Sequence, residues 1–240
     1  MRLIAVAGAA TLAWGLGIAP AMAGICEVPF MHDGGAVTLT GSGGIQLGAE
    51  LSFSNVKKIS ADACEARVQG NATFGLMGLP AGKSKIDYWM SVKNGKASFE
   101  RNDAAGRRVP INGKFDLRML GLFAYGQPIT RSGQTFPALK FQINIDKQAV
   151  QTQPLVVHTG EKTVGSRQSI QTAAGVESCW PIRYTRVIDP TQASFNGLVM
   201  PIPGMTSSVT DWFCPKVNMV MKQESQQQGL SSLLEVSSLR

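Results

Sequence analysis

Only two histidines, His32 and His158, occur in the chain. A Ser-His-Asp arrangement would have to take one of them as its base, so it has few possible forms. His32 stands beside Asp33 in FMHDGG, but adjacent side chains in extended chain point apart. His158 lies in the strand-like PLVVHT, where a histidine that is hydrogen-bonded or exposed is the ordinary outcome. No Gly-x-Ser-x-Gly elbow, His-Glu-x-x-His helix or Walker loop is present. GSGG at 41–44 lacks the lysine and the following helix of a phosphate cradle and reads as a flexible turn. The 16 carboxylates are dispersed, which leaves a remote pair for glycan hydrolysis open. Asn71-Ala72-Thr73 fits the glycosylation pattern, which matters only in a eukaryotic secretory route. The expectation is a protein that is not an enzyme, with no catalytic residues, no cofactor and no metal.

The remaining reactive groups are Cys26, Cys64, Cys179 and Cys214. No Cys-x-x-Cys spacing occurs and both histidines are remote in sequence, so metal binding and thiol redox chemistry fit poorly. An even count in an exported chain implies two disulfides, with three connectivities open. Cys26 with Cys64 and Cys179 with Cys214 is preferred. Each pair then staples one half of the chain, and the two C-terminal cysteine segments both read as strands. Closing a loop of about 35 residues stabilises by up to ~4 kcal/mol in the chain-entropy estimate.

Export is read from MRLIAVAGAATLAWGLGIAPAMAG. Arg2 precedes an apolar run to about Ile18, then Pro20 and the small-x-small triplet Ala21-Met22-Ala23, the layout of a signal peptide spanning 1–23 and cut between Ala23 and Gly24. Cys26 lies close enough to that cut to raise a lipid anchor, but Ile25 stands where a small residue is expected. No later run is long and apolar enough to span a bilayer, so an integral membrane protein is not expected. Residues 24–240 fit one β-rich envelope domain, and 44% hydrophobic with 16% charged residues describes a globular chain. The formal net charge is +7. The charges are dispersed, with Lys57-Lys58 and Arg107-Arg108 the tightest pairs, which suits a solvated basic surface and not nucleic acid.

The elements that must position all this read as strands and turns. AVTLT (36–40) and IQLGAELSF (45–53) flank GSGG, and CEARVQG alternates Cys64, Ala66 and Val68 against Glu65 and Arg67. Ile86, Tyr88, Met90 and Val92 share one face before Asn94-Gly95, a strong hairpin signal. Asn112-Gly113 suggests a second hairpin, and 117–125 stays open between buried strand and short helix. Leu139, Phe141, Ile143 and Ile145 alternate with polar residues. QPLVVHT and KTVGSRQSI are further strand candidates, TAAG (172–175) a turn, and QESQQQG a turn or loop.

Two strands bracket the last third, SCWPIRYTRVI (178–188) and DWFCPKVNMVMK (211–222). Trp180, Ile182, Tyr184 and Ile188 share one parity of the first; Phe213, Val217, Met219 and Met221 share one parity of the second. That leaves both cysteines on the more polar side. Pro181 and Pro215 favour an edge, a bulge or a strand start. Between these strands, DPTQASFNGLVMPIPGMTSS reads as a long loop, in which Phe195, Leu198, Val199 and Met200 are the candidate binding residues.

Thr172-Ala173-Ala174-Gly175 followed by Trp212-Phe213-Cys214-Pro215 resembles the "T-x-A-G" turn and "W-[YF]-x-P" segment of a bacterial exported group, the domain of unknown function (DUF) 3108-like or TapB-like proteins. The resemblance covers roughly the last 80 residues and implies an envelope-located, β-rich, non-catalytic domain. The fold expected is mainly β: a curved antiparallel sheet, or an open β-barrel or sandwich, built from hairpins and stabilised by disulfides. A concave sheet can hold an acyl chain or peptide. The expected role is a periplasmic binding or scaffolding module, for a lipid, lipoprotein or peptide, with extracellular release as the other location. The rival roles are an envelope assembly partner acting through an edge strand, and a glycan or peptide hydrolase.

Overall fold

In the computed structural model the described residues are 24–76, 79–94, 96–110, 125, 128–143, 151–152, 155–195 and 198–240. Residues 1–23, and with them the expected signal segment, lie outside these. So do Asn112-Gly113 and nearly all of 117–125.

A 3-10 turn at Ile25–Glu27 opens the described chain. The N-terminal half supplies β1 (Ala36–Gly43), β2 (Ile45–Ser60), β3 (Ala63–Leu76), β4 (Leu79–Lys93), β5 (Lys96–Asn102) and β6 (Arg108–Pro110). The middle adds β7 (Thr135–Phe136), β8 (Leu139–Ile143), β9 (Gln151–Thr152), β10 (Leu155–Thr159), β11 (Lys162–Val164) and β12 (Gln168–Thr172). The last third holds β13 (Gly175–Ile188), β14 (Thr191–Phe195), β15 (Leu198–Ile202), β16 (Met205–Cys214), β17 (Met219–Gln227) and β18 (Leu230–Leu239). The main sheet runs β6-β5-β4-β3-β2-β1-β18-β17-β16-β13-β10-β8, antiparallel and not closed into a barrel. The expected mainly β, disulfide-stabilised fold is the one observed.

Alternation builds the N-terminal half. Phe53, Val68 and Tyr88 stand in one cross-strand row, and Ala66, Met90 and Phe99 in the next. Apart from half-buried Phe99, all are buried, because every second residue over 47–53, 64–68 and 86–92 is apolar. Gly70 pairs with both Leu51 and Ile86. A Cβ there would lie 1.8 Å from the Glu50 carbonyl oxygen, so only glycine lets the strands approach. The 3-10 turn folds under this sheet: Cys26, Val28, Phe30 and Met31 are buried, and the Phe30 ring stacks on Phe53 at 4.7 Å.

The two halves join at β1 and β18, whose ends exchange hydrogen bonds between Ala36 and Arg240. Turn chemistry sets the hairpins. Lys93 pairs with Lys96 and Asn94 stands at φ 51, as a hairpin there requires, while Gly95 lies outside the described residues. Thr172 pairs with Gly175 around the TAAG turn, and the Thr172 hydroxyl accepts the Ala174 N–H.

Several expectations change. DWFCPKVNMVMK is a hairpin and not one strand: β16 ends at Cys214, residues 215–218 turn with Asn218 at φ 53, and β17 starts at Met219. Proline cannot extend the ladder and asparagine tolerates positive φ, so the chain reverses here. Both C-terminal cysteines are fully buried and not on a polar side, because β13, β16 and β17 are covered on two sides at this level. The long segment after Asp189 is not an open loop. It forms β14 and β15, which pair with each other and with β9 in a separate three-stranded sheet. Gln223–Gln227 of QESQQQG continues β17, and the turn is Gln228-Gly229, both at positive φ. Gly41–Gly43 belongs to β1, and Leu139 is exposed. Pro181 falls where β13 changes partner from β12, paired through Cys179, to β11, paired from Ile182.

The disulfides are Cys26–Cys64 and Cys179–Cys214, separated by 38 and 35 residues, the preferred connectivity. They point to folding in an oxidising, extracytoplasmic compartment. Replacing Cys179 and Cys214 together by serine removes a closed loop and leaves two hydroxyls in the core. We expect a loss of about 4 kcal/mol in reversible urea unfolding; a loss under about 1 kcal/mol would mean that the crosslink is incidental to stability.

Candidate functional site

The register of β11, β13, β16 and β17 lays side chains in rows across one face. Trp180, Phe213 and Val220 form an apolar row, followed by Val164, Ile182, Asp211 and Gln223. Tyr184 and Val209 stand in the third row, and in the fourth Arg186 stands between Thr159 of β10 and Ser207 of β16. Rows two residues apart are separated by about 7 Å. The face thus passes from an aromatic cluster to a cationic belt within a few rows.

Asp211 is the pivot, fully buried beside the smaller apolar cluster of Phe136, Val164, Trp180, Ile182, Phe213 and Val220. A bare carboxylate at this depth would lose its hydration, and the neighbouring donors replace it. Tyr125 donates its hydroxyl to Asp211 Oδ2 at 2.5 Å. Gln223 Nε2 donates to Oδ1 at 2.7 Å, with the Tyr184 hydroxyl at 3.4 Å from the same oxygen. Tyr125 also packs on Phe136 and stands edge-on to Phe213, which fixes its ring.

Two cations complete the cluster. Lys162 Nζ lies over the Tyr184 ring at 4.2 Å and the Tyr125 ring at 5.0 Å. Arg186 Nη1 donates to Gln223 Oε1 at 3.3 Å, while its Nε is buried with no hydrogen-bond partner among the described residues. Burial pushes the Asp211 carboxyl above its ordinary range, and Lys162 and the hydrogen bonds from Tyr125 and Gln223 pull it partly back. Burial likewise raises both tyrosine hydroxyls, with the Asp211 charge adding to it. Lys162 is lowered by burial, against the pull of Asp211.

No family model and no curated protein matches the chain. It is similar in fold to two solved structures. One, from Bacteroides fragilis, is described as an exported protein with a YmcC-like fold; it is 12% identical, over 90% of this chain and 100% of that one, with a TM-score of 0.48. The other, from Parabacteroides distasonis, is described as a lipoprotein; it is 14% identical, over 90% of this chain and 99% of that one, with a TM-score of 0.48. At such values the likeness carries no argument about activity. The DUF 3108-like resemblance rests on its two short motifs, which are a turn and a strand end.

The residues singled out in the sequence fall elsewhere. Phe195 and Leu198 pair to close the β14–β15 hairpin, Val199 faces Ser194 in register and is 58% exposed, and Met200 pairs with Ala193. These four sit together on the small sheet, and Asp211 is on the large one. Ala23 lies outside the described residues. Gly24 is wedged against the Ala61 backbone and accepts a hydrogen bond from Asn218 Nδ2. The Cys26 sulfur is held in the disulfide with Cys64. His158 pairs with Asp189 at 2.8 Å, a satisfied histidine. The signal for Asp211 was present: it shares the parity of Val209 and Phe213, a carboxylate on an apolar stripe. Gln223 was masked by a bulge at Trp212/Phe213 that shifts the register of β17.

A carboxyl group with a raised folded pKa binds more protons when folded, so stability falls as pH rises from about 4 through the folded value. Asp211→Asn removes this titration. We expect the stability of the native chain minus that of Asp211→Asn to decrease from pH 3.5 to pH 7 in urea melts; a difference that rises with pH would contradict the desolvated carboxyl.

Proposed function

We propose that this chain is an exported cell-envelope protein that works in the periplasm as a non-catalytic binding module for an apolar or amphiphilic ligand. The observation that carries the reading is the face built on β13 and β16. A cationic belt there lies between a closed aromatic cluster and a partly exposed apolar row in which Ile188 pairs with Val157 and Met205. Charged donors that stand beside apolar surface, with donor capacity unspent, suit recognition of a molecule having both characters. Two buried disulfides support the compartment, and the apolar small-residue leader in residues 1–23 supports the route. The Asp211 carboxylate already accepts from Tyr125 and Gln223, and no serine or cysteine side chain is hydrogen-bonded to it in the described network. Its geometry serves binding better than acid–base chemistry.

A second reading has its own observation. Among the described residues the main sheet is open, its terminal strand β8 carries Leu139, 54% exposed, and β6 at the other end is a three-residue strand bearing Arg108 and Pro110. Short, charged and proline-bearing edges resist strand addition. β8 is thus the edge better suited to an envelope partner.

Organic extraction of protein purified from the periplasm, followed by mass spectrometry, is expected to release a lipid-like or peptide molecule enriched over an unrelated periplasmic β-protein. Extracts indistinguishable from that control, from protein that never left its native compartment, would reject the binding reading. Recovery of one envelope protein in stoichiometric amount, lost on Leu139→Lys, would favour the edge-strand role instead.

A further inference from the structure

Lys162 and Arg186 carry more hydrogen-bond donors than the described cluster uses. Lys162 reaches Asp211 only through space, its ammonium resting on two tyrosine rings. Arg186 uses one terminal nitrogen on Gln223, and its buried Nε has no partner among the described residues. Asp211 has little room for the surplus, since its two oxygens already face Tyr125, Gln223 and Tyr184 and a carboxylate offers about four acceptor positions. With Asp211 ionised the trio carries one net positive charge. A single negative charge placed between Lys162 and Arg186 neutralises it and supplies the missing acceptors.

The surroundings say what else that anion must carry. Arg186 and Ile188 are successive residues of one strand face, and Ile188 pairs with Met205, both partly exposed. A head group held by Arg186 therefore leaves the rest of its molecule about 7 Å away along the strand, over apolar side chains. A free inorganic anion would leave that row unused.

We propose that Lys162 and Arg186 form the head-group site for an oxyanion, a carboxylate with one negative charge or a phosphate monoester with about one to two near pH 7, on an amphiphile whose apolar part lies over Ile188 and Met205. This rests on the binding-module reading above and names the chemistry it would recognise. Asp211 is a positioning residue: through Gln223 it orients Arg186, and its charge keeps Lys162 directed inward. Tyr125 and Tyr184 provide the ring faces that hold the ammonium in place.

The test compares three probes of equal chain length, dodecanoate, dodecyl phosphate and dodecanol, below their micelle concentrations, by calorimetry on the whole exported protein. Dodecanoate or dodecyl phosphate is expected to bind at least tenfold more tightly than dodecanol, and the order of the two anions tells a fatty-acid source from a lipid-phosphate source. Lys162→Gln and Arg186→Gln should each reduce binding of the preferred anion about tenfold or more, leave dodecanol unchanged and keep the native circular dichroism. Should either variant fail to fold, the comparison of probes on the unaltered protein still decides. Dodecanol binding as tightly as both anions would overturn the head-group assignment and leave the binding module standing. No binding of any probe to the folded protein would overturn both.

Discussion

Strands β13, β16 and β17 have to bury side chains on both of their surfaces at once, and most of the rest of the molecule is arranged to meet that demand. On one side, Cys179, Cys214, Met219 and Met221 join the large core with the β1–β4 strands and the 3-10 turn. On the other, Trp180, Ile182, Phe213 and Val220 meet Val164 of β11, Phe136 of β7 and Tyr125. A strand covered on two sides reads as a continuous apolar run and not as an alternation. That is why residues 179–182 are all buried. It also explains why β13 needs three successive partners, β12, β11 and β10, along its length. Short strands can each bring a different covering segment where one long strand would bring only one.

The double burial has an electrical consequence. Moving down the strands from the aromatic row, the covering segments thin and the side chains become polar, with Asp211 at the boundary. A carboxylate placed there is deep enough to be desolvated and near enough to the edge to be reached by Lys162 and Arg186. Three donors on its oxygens compensate the lost water, and the two cations hold its charge. Such a network is intolerant of partial removal, because each missing partner leaves another buried polar group unsatisfied. The polar belt is therefore a fixed feature of the fold, and its unspent donors are held on a rigid base.

How much of this the sequence displays depends on the period of its pattern. Strands with one wet face announce themselves: Ile86, Tyr88, Met90 and Val92 alternate, and all four are buried. Asn94-Gly95 and the TAAG turn state their own backbone needs, and cysteine spacing with strand assignment gives the pairing. The doubly covered strands are harder, because parity carries no information when both faces are dry. Cys179 and Cys214 thus look polar-sided in the sequence and are fully buried in the structure. Bulges add a second difficulty. The extra residue opposite Trp212 puts Gln223 in register with Asp211, a pairing that uninterrupted counting misses.

The candidate site is less legible than the fold for a related reason. Its members come from β11, β13, β16, β17 and the segment at Tyr125, up to 98 positions apart between Tyr125 and Gln223 by their numbers. No short motif can encode a cluster assembled by cross-strand register. What the sequence does hold is a single inconsistency, a carboxylate on the stripe of Val209 and Phe213. An apolar residue would fill that position at lower desolvation cost, and what the carboxylate adds is the arrangement of its neighbours. It organises one phenol on each side, one amide, and two cations whose remaining donors have no partner in the described chain. The physical logic runs from burial to charge and from charge to the order of the donors around it. A charge at that depth adds nothing to packing by itself, so Asp211 marks the point at which apolar packing gives way to polar order.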